Sequence, residues 1–311
     1  MIKQESEAST AELRPRFDST HALMKLFAVT PEGPRELSLP ADVSEPTEVF
    51  DNLPRGIYEA MRTFDHDRFV GLEEHLDRAA RSLDLLEIEA HLDLDAIRLS
   101  LHQAVTEAPW PDSRVRFDVL RGPPEALSAR EQCLIQVVEL RLPPEEAYLE
   151  GVRVPLTDRV RRTRPEAKSA DWVIERRAAY PPPGEGYDPI LVDPKGFLLE
   201  GVMSNLFLVT ERGLQTAPTR GVLPGITRNI LMGLAGEQGV TVIEDPVHRD
   251  RLGDVREAFF STSVRGVLPV VGIDGAELGE GSPGPVTRKL MEAYAAYCAR
   301  EARPALSASG G

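Results

Sequence analysis

The sequence predicts a mixed α/β to α+β fold in two domains, and three observations carry that expectation. Strand-like and helix-like patterns alternate through both halves of the chain. Its 311 residues, 41% of them apolar, suffice for one large core or two ordinary ones. Midway, LPPEEAYLEG interrupts the patterning with two prolines and several acids. These place a tail at 1–20, a small N-terminal domain at 21–142 and a larger C-terminal domain at 146–303.

In the first half, MKLFAV and YEAMRTF (from Tyr58) read as strands. Leu72, Leu76, Ala79, Ala80, Leu83 and Leu86 recur at steps of three and four, which predicts a helix carrying His75 and Arg78. Ile97, Leu101 and Val105 share one face of a second helix. From Arg114 to Leu120 the chain alternates, with Val115, Phe117 and Val119 facing the core and Arg114, Arg116 and Asp118 on a charged face. QCLIQVVEL gives another strand.

The second half opens with strand-like VRVPL and a short helix after Lys168. ILVD and FLLE flank Asp193-Pro194-Lys195-Gly196, a hairpin turn. NLFLVT and LQTAP continue the sheet across Glu211-Arg212-Gly213. GVLPGITRNILMGLAGEQG reads as a loop leading into a helix, with Thr227 as N-cap and the terminal glycine as its stop. VTVIED, EAFFSTS and VLPVVGI are strands, and Pro285 to Cys298 is the last helix.

Composition excludes several functions. A formal charge of −14 and a pI near 5.0 leave no electrostatic footprint for nucleic acid. Cys133 and Cys298 are too few for a disulfide framework, and no stretch approaches a membrane span, so a soluble, cytoplasmic protein is expected. There is no P-loop, GxSxG, HExxH or CxxC, and the six histidines lack ligand spacing, so no metal site is expected.

Only five of the 36 cations are lysine, namely Lys3, Lys25, Lys168, Lys195 and Lys289. Lysine can lose its proton and become a nucleophile, whereas arginine cannot. Lys168 stands alone among arginines in RVRRTRPEAKSADW. Gly225-Ile226-Thr227 precedes a helix whose first-turn N–H groups suit a phosphate, and Ser261-Thr262-Ser263 follows a strand with further donors. Glu200 closes the strand FLLE and delivers a carboxylate beside a loop. An amine to form an imine, a carboxylate for a heterocyclic nitrogen and a cup for a phosphate together describe a pyridoxal phosphate site.

The motifs YEAMRTF, LEEHLDRAARS, EAKSADW, LLEGVMSNLFLV, GVLPGITRNIL and FFSTSVRGVLPV occur in the order found in one family, across about Tyr58 to Tyr294. The chain resembles the class IV aminotransferases, the fold type IV pyridoxal-phosphate enzymes, which include branched-chain and D-amino-acid aminotransferases and aminodeoxychorismate lyase. The resemblance implies that Lys168 holds the cofactor as an aldimine and moves the proton, and that Glu200 faces the pyridine nitrogen. It implies phosphate contacts from Arg78, Ile226, Thr227, Thr262 and Ser263, with Asn205 in support. It also implies a homodimer acting on an amino acid and a 2-oxo acid. A lyase of the aminodeoxychorismate type, or a cofactor-binding member without turnover, shares the same site and stays open.

Substrate residues depart from the family patterns. Pro123-Pro124-Glu125-Ala126 stands where D-amino-acid aminotransferases carry a carboxylate trap. Arg116 matches an arginine of the branched-chain type, but Arg114 stands where that type has tyrosine, and Val173 replaces the tyrosine five residues beyond the lysine. Tyr58 and Arg116 are therefore the leading substrate candidates, followed by Arg114 and Arg265, and these arginines suit a substrate carboxylate. The alternative for Arg116 is a pairing with Asp118.

Overall fold

The computed structural model describes residues 24–39, 48–180 and 187–306; the expected tails at 1–20 and SASGG lie outside them. The first half contains β1 (Lys25–Thr30), β2 (Gly33–Glu36), β3 (Ile57–Arg62), β4 (Arg68–Phe69), α1 (Leu72–Leu85), α2 (Leu94–Thr106), β5 (Ser113–Val119) and β6 (Cys133–Glu139). One antiparallel sheet runs in the order β2-β1-β6-β5-β3, which leaves β3 at an edge. Leu76 and Leu83 of α1 and Ile97 and Leu101 of α2 pack with Val115, Phe117 and Val119, as the periodicities require.

The opposite face corrects one expectation. Arg116 and Asp118 are only 3% and 1% exposed, so the charged face of β5 is buried as well. Alternation identifies a face by its side-chain chemistry, but a pair of opposite charges can be buried together when each satisfies the other.

The second half begins with α3 (Glu145–Leu149) inside the Pro-rich break, then β7 (Val152–Val154) and β8 (Leu156–Thr157), which Pro155 separates. There follow α4 (Asp171–Glu175), β9 (Ile190–Val192), β10 (Leu198–Gly201), β11 (Asn205–Thr210), β12 (Gly213–Thr216), α5 (Ile226–Glu237) and β13 (Val242–Glu244). The chain ends with β14 (Glu257–Thr262), β15 (Gly266–Ile273), β16 (Ala276–Glu277), α6 (Pro285–Glu301) and β17 (Arg303–Pro304). The second sheet follows β16-β15-β14-β11-β10-β9-β8, with β12, β13 and β7 attached. Helices α5 and α6 cover it through Leu231 and Leu290, packed with Phe207 and Phe259. Among the described residues no helix is long and apolar enough to cross a membrane.

Thr227 is not the N-cap of α5; Gly225 is. A Cβ at 225 would lie 2.0 Å from Asn205 Oδ1, so only glycine fits this close approach, and Thr227 moves into the first turn. Helix α6 also starts on a glycine, Gly284, with no side-chain cap of its own. Its cap comes from β14: Glu257 accepts the N–H groups of Val286 at 3.2 Å and Thr287 at 2.7 Å. Replacing Glu257→Ala should cost about 1–2 kcal/mol of stability, read from urea unfolding, because two helix N–H groups lose their acceptor.

Candidate active site

Lys168 is positioned by backbone hydrogen bonds to the edge strand. The N–H of Tyr58 donates to the Lys168 carbonyl at 3.1 Å, and the N–H of Ala170 donates to the Gly56 carbonyl at 2.9 Å. Between them Ile57 and Ser169 form an antiparallel bridge. From the other side, Ser82 Oγ on α1 accepts the Lys168 N–H at 3.1 Å. The amine then lies 4.7 Å from the centre of the Tyr58 ring. Burial pushes its pKa down, against the pull of the Tyr58 hydroxyl, and Arg78 and Arg162 add to the depression. A lysine held this way loses its proton more readily than one in water.

Tyr58 responds in the opposite sense. Burial alone would raise its pKa, but the positive charges of Lys168, Arg176, Arg162 and Arg116 outweigh it and bring the phenol down to about 7. Arg176 Nη1 is 3.5 Å from the hydroxyl.

Glu200, at the end of β10, is 1% exposed and is not a solvated strand end. Its Oε2 accepts the Leu223 N–H at 3.1 Å and Asn205 Nδ2 at 3.2 Å, and Asn205 Nδ2 also reaches the Leu223 carbonyl at 2.9 Å. Asn205 thus ties the carboxylate to the loop before α5. Glu200 Oε1 is 2.8 Å from Arg162 Nε, yet that N–H is not aimed at it, and neither atom has a hydrogen-bond partner among the described residues. Burial raises the Glu200 pKa to about 7 despite the opposing charges of Arg162 and Lys168 and the Leu223 N–H.

The third group lies at the start of α5. The first-turn N–H groups there, those of Ile226 and Thr227 among them, have no intrahelical acceptor. Thr227 Oγ1 is 3.4 Å from Ser263 Oγ and 3.3 Å from the Tyr294 hydroxyl. Thr262 Oγ1 accepts the Arg265 N–H at 2.8 Å and so shapes the adjoining turn. Arg78 donates to the Pro224 carbonyl at 3.1 Å, beside the helix start. Its Nε and Nη2 also donate to Glu59, at 2.8 and 2.5 Å. Glu59 also lies 2.7 Å from His75 Nδ1. Burial opposes ionisation of Glu59, but Arg78 and His75 hold its pKa at about 2; burial keeps His75 below its usual value. The pair is therefore carboxylate and guanidinium, with a neutral imidazole donating from Nδ1.

The substrate candidates cluster around Tyr58. Arg116 makes two bonds to Asp118, at 2.7 and 2.5 Å, and lies over the rings of Phe50 at 4.1 Å and Tyr58 at 4.7 Å. Arg265 is 3.7 Å from Asp188. Arg114 has neither ion pair nor hydrogen bond among the described residues; burial, with Arg116, Arg176 and Arg265 nearby, lowers its pKa to about 10.

Sequence reading missed Glu59, Arg162, Arg176 and Asp188, and gave His75 no role. Arg162 is one of several arginines in a run, and Asp188 lies outside any motif, so no local signal marks them. Glu59 directly follows Tyr58, and alternation alone would have sent it to the opposite face, toward α1.

The arrangement fits pyridoxal phosphate on three counts. A buried amine is available at Lys168, a buried carboxylate oxygen on Glu200 lacks a donor, and a helix start presents hydroxyls and N–H groups for an anion.

Comparison with known proteins places these residues in a family. The model of "Amino-transferase class IV" matches residues 56–273. A branched-chain-amino-acid aminotransferase of Pseudomonas aeruginosa is 28% identical over 254 residues, covering 77% of this chain and 82% of that protein. A D-alanine aminotransferase of Bacillus licheniformis is 28% identical over 247 residues, covering 76% and 86%. The crystal structure of the branched-chain amino acid aminotransferase of Escherichia coli superposes with a TM-score of 0.72 at 20% identity over 88% of this chain and 93% of that one, a likeness of fold.

Ultraviolet difference titration should show one tyrosine ionising at about pH 7, and Tyr58→Phe should remove that transition. Because the folded pKa lies below the ordinary 10, phenol ionisation stabilises the fold as pH rises from about 7 toward 10, and the contribution is lost as pH falls through about 7.

Proposed function

The chain belongs to the class IV aminotransferase family, and from that membership we propose that it moves an amino group from an amino acid to a 2-oxo acid with pyridoxal 5'-phosphate at the site built on Lys168 and Glu200. The observation that carries the reading is the Glu200 oxygen left without a hydrogen bond in a buried site that also holds the Lys168 amine. When bound, pyridoxal phosphate supplies an aldehyde that condenses with primary amines and a ring that takes up the electrons left when a Cα proton departs.

The chain's own residues divide the remaining work. Lys168 is the amine for attachment, and once free it is a base able to carry a proton. Glu200 Oε1 is the acceptor for a ring N–H, and the Leu223 N–H and Asn205 hold Oε2 so that the carboxylate cannot turn away. Arg78 and the donors of Ile226, Thr227, Thr262 and Ser263 suit the phosphate dianion. Tyr58 and the arginines around it form the cationic end, suited to substrate carboxylates.

Reductive labelling and one variant test this assignment. Borohydride reduction of the protein with pyridoxal phosphate should label the peptide that carries Lys168. Lys168→Ala should lose that label and lower the half-reaction with any amino donor by about 10³-fold or more. A label on another lysine sinks the assignment. Pyruvate release without an acceptor would identify a lyase instead.

For the phosphate, Arg78→Ala is a poor probe, because it strands the buried Glu59 at a cost on the order of 3 kcal/mol. Arg78→Lys keeps the charge but loses the fork, and should weaken pyridoxal phosphate binding about tenfold while the fold persists. Fluorescence titration with the cofactor reads the change, and unchanged affinity counts against the role.

A further inference from the structure

One buried carboxylate touches both the Glu200 end and the helix-start end of the site. Asp188 is 2% exposed and stands just before β9. Its two oxygens accept the Met203 N–H at 3.0 and 3.1 Å, and its Oδ2 accepts the Ser204 hydroxyl at 2.6 Å. The carbonyl of the next residue, Pro189, accepts the Val202 N–H at 3.0 Å. Residues 188 and 189 thereby hold the turn that joins β10 to β11, and Glu200 and Asn205 stand opposite each other at its base. The approach is close: a Cβ at Gly201 would lie 2.8 Å from Asp188 Oδ2 and 2.3 Å from Ser204 Oγ.

The same carboxylate faces the turn between β14 and β15. Arg265 Nη2 is 3.7 Å from Asp188 Oδ2, an ion-pair contact. The main chain of Arg265 is fixed to its turn at both polar groups, since its N–H donates to Thr262 Oγ1 at 2.8 Å and its carbonyl accepts the Tyr148 hydroxyl at 2.9 Å. Ser263, within that turn, is 3.4 Å from Thr227 at the start of α5. Burial pushes the Asp188 carboxyl up, and Arg265 is the strongest influence against it. Main-chain pairing between β11 and β14 ends at Asn205 opposite Ser261, so both turns project beyond the ladder. Asp188 and Arg265 join them there.

We propose that Asp188, acting through Arg265, is a positioning residue that sets the spacing between the Glu200 acceptor for the cofactor's ring N–H and the Thr262–Ser263 donors for its phosphate. This rests on the pyridoxal-phosphate reading above, and it assigns the Arg265 guanidinium to the frame of the site. Charge alone gives the opposite expectation, because removing an anion near a phosphate site strengthens phosphate binding. The sign of the Asp188→Asn effect therefore separates placement from charge.

The test compares pyridoxamine 5'-phosphate with pyridoxamine, which share the ring and differ by the phosphate, by fluorescence titration. Neither carries an aldehyde, so the reading is independent of attachment to Lys168. Asp188→Asn keeps an acceptor for the Met203 N–H and removes the charge that faces Arg265. It should weaken pyridoxamine 5'-phosphate about tenfold and leave pyridoxamine within about twofold. Arg265→Met should give the same selective loss, and the double variant should lose no more than either single one, because the two residues act as a unit. Tighter binding of pyridoxamine 5'-phosphate by Asp188→Asn, parallel loss of both ligands, or additive losses in the double variant overturns the proposal. If Asp188→Asn alone does not fold, the double variant decides by itself, since it leaves the net charge of the pair unchanged: a selective loss of about tenfold supports placement, and unchanged affinity overturns it. An unaltered protein that binds pyridoxamine 5'-phosphate no more tightly than pyridoxamine overturns the pyridoxal-phosphate reading and the proposal with it, whereas the variant outcomes overturn the proposal alone.

Discussion

The site depends on one constraint: the free edge of β3 is closed by the segment that carries Lys168. An edge strand presents unpaired N–H and carbonyl groups, and here the Lys168 carbonyl and the Ala170 N–H pair with the edge at Tyr58 and Gly56. The second half of the chain is thereby fastened to the first through main-chain bonds, which do not depend on side-chain identity. Ser82 of α1 adds a third bond. With its backbone held on both sides, Lys168 has a defined root, and its amine has a short reach to Tyr58.

The same strand then divides the site in two. Neighbouring residues in a strand face opposite sides, so Tyr58 and Glu59 serve different ends. Tyr58 faces the cluster of Arg114, Arg116 and Arg176, whose positive charges act on its hydroxyl. Glu59 faces α1, where it holds Arg78 beside the start of α5.

The two buried glutamates show how hydrogen bonding sets charge. Glu59 receives bonds from a guanidinium and an imidazole, and its pKa falls to about 2. Glu200 receives a carboxamide and one backbone N–H on a single oxygen, and Arg162 pairs with the other by charge without an aligned hydrogen bond, so burial wins and its pKa rises to about 7. The first is a completed structural pair; the second has one oxygen that is in ion-pair contact with Arg162 but accepts no hydrogen bond. Both carboxylates are buried, and only their partners distinguish structure from site.

The sequence by itself determined the elements and the identity of the central residues. Hydrophobic periods are local, so α1, α2, β5 and β6 could be read, and Lys168, Glu200 and Thr227 stood out because few residue types meet their chemistry. Asp193-Pro194-Lys195-Gly196 likewise specified its turn, since Gly196 adopts a φ of 89° that favours glycine. Only the tertiary structure decided the partners. Thr227 lost the N-cap to Gly225 because Asn205, from another strand, approaches too closely for a Cβ. Arg162 reached Glu200, and of the two readings open for Arg116 the fold took the pairing with Asp118. Whether a charge is solvated, paired or left waiting depends on what the rest of the chain brings within hydrogen-bonding reach, and periodicity along a strand carries no information about that.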